Sequence, residues 1–179
     1  MFQVTQQLLA QLHAFLALLL LISSAHKWLR RARARDAVHA LVGVPRHLTG
    51  WAVGTISLLE LCAAVLLVIP TARITGALLA ALIWGVYWWL MVRAIVEGRR
   101  DVDCGCSFGK SHRPLGVFQL ARNLVLVSLA GAIALVPAGD ASGALPAGQM
   151  LAAFAMLALY SALDQAMAVQ PTRRAGDMI

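Results

Sequence analysis

The chain has 179 residues and a formal charge of +7, and it is 60% hydrophobic but only 13% charged. Soluble domains average about 45–50% and about 25% for those two classes, so a soluble globular enzyme is excluded. The apolar residues fall in five blocks, 8–28, 51–69, 74–96, 116–136 and 149–169, each close to the about 20 residues that a helix needs to cross a bilayer.

The fold class this predicts is all-α: a polytopic membrane helix bundle of five spans, forming a single transmembrane domain. Ser23-Ser24-Ala25 loosely fits a signal cleavage site, but no Lys or Arg precedes the first block. A signal peptide needs a positive leading region, so the block is read as a span. When the spans alternate, every one of the 15 lysines and arginines except Arg73 falls on one side. Cytoplasmic loops carry such an excess, which predicts a periplasmic N-terminus and a cytoplasmic C-terminus. The charge thus serves topology and the bilayer's anionic headgroups, and no nucleic-acid partner is expected.

In chain order, the first span carries His13 and closes with His26-Lys27-Trp28. That trio reads as an interfacial anchor, with Trp at headgroup level and Lys reaching to water. The stretch from Arg30 to Leu41 alternates arginines with alanines and then shows Val38, Leu41 and, just after it, Val42, the pattern of a basic amphipathic helix lying in the interface. Pro45 and Gly50 mark the re-entry into the second span.

The second span holds Glu60 and Cys62. An ionisable group in hydrocarbon is costly and faces the bundle interior with a partner. Two readings of Glu60 stay open, a proton relay and a hydrogen-bonded packing element. Cys62 reads as a small buried residue. In the third span Ala77, Ala81 and Gly85 recur every four residues, a spacing that lets helices approach closely. Trp84, Trp88 and Met91 share a face directed toward the following loop. Core packing is the plain reading of that face, and an apolar slot for a quinone cofactor is the sharper one.

That loop carries the chain's most reactive feature, Asp103-Cys104-Gly105-Cys106-Ser107-Phe108-Gly109. Two thiols one residue apart are close enough to bridge under some strain, and exposed, strained disulfides tend to be the exchanging kind. Lys110, His112 and Arg113 follow, and positive neighbours favour the thiolate that attacks disulfides. A metal site is the rival reading, but one close cysteine pair with His112 falls short of the two pairs that structural zinc usually takes. The fourth span opens after Pro114 and places Arg122-Asn123 about one turn inside. The fifth carries Asp164-Gln165 near its end, which reads as packing with a cap.

Several of these segments resemble the MauE family of methylamine utilisation membrane proteins, which is distantly related to DoxX-type proteins. The matching pieces are Lys27, Leu58-Leu59-Glu60-Leu61, Arg99-Arg100-Asp101-Val102-Asp103-Cys104-Gly105-Cys106 and Arg122-Asn123-Leu124. Ser107 interrupts the family's usual Cys-Gly-Cys-Phe-Gly, shifting Phe108 and Gly109 by one. The resemblance implies a multi-pass protein of the bacterial inner membrane. It also implies a maturation role for the methylamine dehydrogenase small subunit, a periplasmic, disulfide-rich client. The expected partner is a thioredoxin-like, membrane-tethered protein, MauD, and the expected catalytic pair is Cys104 and Cys106. Glu60, from its place in the second span, is the candidate proton relay beside them, with the packing reading still open. The alternative is a non-enzymatic scaffold or metal carrier that assists export or assembly of a periplasmic protein.

Overall fold

The computed structural model describes residues 2–99, 115–136 and 147–169. Six α-helices make up this part: α1 (Phe2–Leu29), α2 (Arg31–Val42), α3 (Thr49–Val68), α4 (Arg73–Val96), α5 (Val117–Leu135) and α6 (Ala147–Val169). All except α2 contain a stretch long and apolar enough to span a membrane. The 20 residues of α3 rise about 30 Å at 1.5 Å each, the thickness of a bilayer's hydrocarbon core. Each of the five apolar blocks has its helix.

The bundle has two distinguishable ends. At one, α1 runs into α2, whose C-terminus is closed by Gly43 at φ +77, a left-handed value that glycine adopts without steric cost. The chain turns there and enters α3. Arg99, just beyond α4, donates to the carbonyl of Ala40 on α2, and Leu115 packs with Leu41, Met91 and Ala94. The end of α4, the end of α2 and the start of α5 therefore meet. We call this the arginine-rich end. At the other end a single 3-10 turn, Pro70–Ala72, joins α3 to α4.

Between the two ends, α1 packs on α3 and α6, and α4 packs on α3 and α5. The main core is built from Leu16 and Leu20 of α1, Ala63 and Leu67 of α3, Ala77 and Ala80 of α4, and Ala130 of α5. Lipid offers helices no hydrophobic reason to associate, so close packing of small side chains takes over. Among the described glycines the tightest approach is at Gly76, where a Cβ would lie 2.6 Å from the Leu67 backbone nitrogen and 2.8 Å from the Leu66 carbonyl carbon. Of the expected face Ala77, Ala81 and Gly85, Ala77 lies in the core and Ala81 packs beside it, whereas the close approach falls at Gly76, outside that row. Gly85 has open space around its missing side chain.

The segment after α1 is helical over Arg31–Val42, with Ala37 and Leu41 buried against the bundle. Trp28 and Trp51 are exposed beside it, as expected of residues at headgroup level.

Candidate functional site

Glu60 is completely buried, at 0% exposure, on the inner face of α3. Four hydrogen bonds from three side chains converge on its carboxylate. Lys27 Nζ donates to Oε1 at 2.7 Å and to Oε2 at 2.9 Å, Ser23 Oγ donates to Oε1 at 3.0 Å, and the Tyr87 hydroxyl donates to Oε1 at 2.8 Å. Lys27 Nζ donates as well to Ser23 Oγ at 2.7 Å, which occupies the ammonium's third hydrogen. Lys27 also lies 5.4 Å from the centroid of the Tyr87 ring. One step along, Ser24 Oγ donates to the Ser57 carbonyl at 2.9 Å, and Ser57 Oγ to the Val53 carbonyl at 2.7 Å.

The anchor reading of Lys27 is therefore corrected. The side chain turns inward, to the level of Ser23 one turn back. Helical side chains lean toward the N-terminus of their own helix, and for a residue near the end of α1 that direction leads into the bundle. Trp28, its neighbour, does face outward and stacks on the Arg31 guanidinium at 4.2 Å. The partner demanded by Glu60 was thus present in the sequence, at Lys27 with Ser23 one turn before it.

A second buried ion pair joins α5 to α6. Arg122 Nη1 lies 2.7 Å from Asp164 Oδ1, with both side chains almost fully covered. The guanidinium also sits 6.0 Å from the Tyr160 ring, which meets Phe15 of α1 edge-on at 6.1 Å. Asp164 thus does more than cap or pack: it ties α6 across to α5. Asn123, next to Arg122, is buried and donates to the Gln119 carbonyl at 3.0 Å. The side chain of Gln119 in turn accepts from the Gly116 backbone at 3.0 Å and caps α5.

The other sequence-predicted residues scatter. Cys104 and Cys106 lie outside the described residues, and the described chain flanks their loop at Arg99 and Leu115, both at the arginine-rich end. Cys62 is exposed on the outer face of α3, not buried as its surroundings suggested. Trp84 is buried in the main core, whereas Trp88 is half-buried. No group of three or more potential metal ligands occurs among the described residues. Glu97, just past α4, bonds to Arg93 at 2.7 Å and to Arg99 at 2.9 Å. These hydrogen bonds, the one from Arg93 first, hold its carboxyl below the usual range.

A family model described as methylamine utilisation protein MauE matches residues 5–136. The match includes the Lys27, Glu60 and Tyr87 cluster, the cysteine pair and Arg122. The chain belongs to the MauE family. Among MauE proteins, it is 31% identical to methylamine utilization protein MauE of Paracoccus denitrificans over 170 residues, covering 90% of this chain and 88% of that one. It is 28% identical to the MauE protein of Methylophilus methylotrophus over 128 residues, covering 69% of this chain and 65% of that one. No solved structure matches.

Proposed function

We propose that this MauE-family protein is a maturation factor in methylamine utilisation, working by thiol–disulfide exchange through Cys104 and Cys106. What carries the reading is the Cys-Gly-Cys pair within the family match, in a loop flanked on both sides by the arginine-rich end. The proposed client is the disulfide-rich small subunit of methylamine dehydrogenase, and the proposed redox partner is a MauD-like, membrane-tethered thioredoxin. The protein sits in the bacterial inner membrane, with its N-terminus periplasmic and its C-terminus cytoplasmic, as the positive-inside bias favours. This orientation puts Cys104 and Cys106 on the cytoplasmic side, so electrons enter there from a thioredoxin and reach the periplasmic client by alternating access of the pair.

The exchange balances simply. A thiolate of the pair attacks one sulfur of a partner disulfide, forming a mixed disulfide and releasing one partner sulfur as thiolate. The second cysteine attacks the mixed disulfide and releases the other. The partner gains two electrons, the Cys104–Cys106 pair loses two and becomes bridged, and the two thiol protons pass to the released sulfurs. Run in reverse, the same steps oxidise a client dithiol. Glu60 is the proposed proton relay of the bundle interior, with Lys27 as its counter-charge.

The test replaces the Paracoccus relative with this chain in methylamine-grown cells. Cys104→Ser and Cys106→Ser, singly, should leave the protein inserted but stop the dehydrogenase small subunit from accumulating. One of the two should trap a mixed disulfide with the thioredoxin-like partner. Cys62→Ser should behave as the parent. Full accumulation in the Cys104→Ser, Cys106→Ser double variant would replace exchange with the scaffold reading.

A further inference from the structure

A cavity of about 190 Å³ lies beneath α2. Its walls are Ala34, Val38 and Leu41 of α2, Ala52 and Ile56 of α3, and Leu90 of α4. It is partly open on one side, and Lys27 and Tyr87 close its inner end. An engineered apolar cavity of about 150 Å³ stays dry and takes up benzene, so this space is large enough for an apolar guest and is unsuited to water. The hydrogens of the Lys27 ammonium are already committed to Glu60 and Ser23. A guest therefore meets hydrocarbon walls and the stem of Lys27, and no polar head is called for inside.

The charged groups around α2 say what lies outside. Arg31 and Arg35 are exposed on the same side of α2 as the cavity-lining Val38 and Val42, and Arg46 is exposed in the connection to α3. The Arg35 guanidinium lies 3.4 Å from where a Cβ would stand on Gly50, so it sits over the start of α3, one turn after Arg46. Arg35 and Arg46 have no carboxylate partner among the described residues. The exposed Trp28 and Trp51 set the same end at headgroup level. An apolar slot and guanidinium groups with no carboxylate partner among the described residues at that level together fit one amphiphile, hydrocarbon inside and anion outside.

We propose that this pocket holds an anionic phospholipid, a stretch of one acyl chain seated under α2 against Lys27 and Tyr87, the rest of that chain in the bilayer, and the phosphate held by Arg35 and Arg46. Arginine pairs with phosphate in a forked, bidentate geometry. The seated chain closes the open side of the cavity and keeps water from the Glu60 cluster behind it.

The full-length protein, purified in mild detergent, should retain phosphatidylglycerol or cardiolipin through washing, as read by mass spectrometry of the extracted lipid. In phosphatidylcholine nanodiscs, adding phosphatidylglycerol should raise the wild-type melting temperature. Arg35→Gln with Arg46→Gln should abolish that rise while sparing insertion, and Ala52→Phe, which fills the slot, should lose the retained lipid. The proposal is overturned if wild-type protein retains no phospholipid, if phosphatidylglycerol and phosphatidylcholine stabilise it equally, or if the Ala52→Phe protein keeps its lipid. Recovery of a quinone in place of phospholipid would likewise overturn it and assign the cavity to a redox ligand.

Discussion

The two halves of the bundle are built on different principles. Toward the Pro70–Ala72 turn, the interior is Leu16, Leu20, Ala63, Leu67, Ala77 and Ala80, helices held by surface fit alone. Toward the arginine-rich end, the interior contains Lys27, Ser57, Glu60, Arg122, Asn123 and Asp164, all buried. Among the described residues, the charged side chains that are buried, Lys27, Glu60, Arg122 and Asp164, all lie in the half that leads to the segment carrying Cys104 and Cys106. A bundle needing only to stand in a membrane would be served by the first kind of interior, because buried ions are costly and apolar replacements are often as stable. The asymmetry supports the proposal that the second half serves the chemistry of Cys104 and Cys106 and not stability alone.

Breaking an ion pair should give the largest effect. Glu60→Leu leaves the Lys27 ammonium buried without a counter-charge, and removing one partner of a buried pair typically costs about 3–5 kcal/mol. Glu60→Gln keeps the shape but not the charge, so it should also lower the yield of folded protein in detergent, by a smaller amount. The double variant Lys27→Met, Glu60→Leu should recover most of the folded yield. It should nonetheless fail to support client maturation if the polar half is functional. A double variant as weak as Glu60→Leu alone would put the stability of this half, too, on its ions.

In the apolar half the matching experiment is Gly76→Ala. Its methyl group would meet backbone of α3, which has to move, and such overpacking costs about 1–3 kcal/mol. Gly85→Ala on the same helix meets nothing within 4 Å and should be neutral or stabilising, by up to about 1 kcal/mol. Thermal unfolding of the pair in one detergent checks both. Equal effects would mean that α3 and α4 do not approach at Gly76 as described.

Tyr87→Phe removes one of the four hydrogen bonds to Glu60 and leaves the ring. Hydrogen bonds between membrane helices average about 0.6 kcal/mol by double-mutant cycles, so stability should barely change. Any larger loss should appear in activity. The smallest effect belongs to Glu97, which is exposed and outside the spans. Its folded pKa is lowered by Arg93 and Arg99, so its contribution is present above the ordinary carboxylate range and is lost as pH falls through the lowered value. Glu97→Gln should therefore differ slightly from the parent in melting temperature at neutral pH and converge with it in acid.

The sequence made the spans plain, because about 20 apolar residues in a row have few other uses. The helical character of residues 31–42 was also readable from its pattern of arginines and small residues. Pairing inside the bundle was harder to read. Lys27 looked like an anchor because it closes an apolar block beside Trp28, and only the inward lean of its side chain, with Ser23 one turn below, sends it to Glu60. Asp164 looked like a cap because it lies near a helix end, and nothing local says that α6 places it against Arg122. Cys62 and Glu60 are two residues apart, about 200° around a helix at 3.6 residues per turn, so burying the carboxyl turned the thiol outward. That last relation was readable from spacing alone.

Cys104 and Cys106 are proposed to form a reversible dithiol. The most direct test uses Cys62→Ser protein in nanodiscs, equilibrated across a series of thiol–disulfide redox buffers, with free thiols then counted by mass after alkylation. A single two-electron transition is expected in which both thiols disappear together, with a tenfold change in equilibrium constant for each roughly 30 mV. Two free thiols throughout, or a bridge that no buffer reduces, would contradict it.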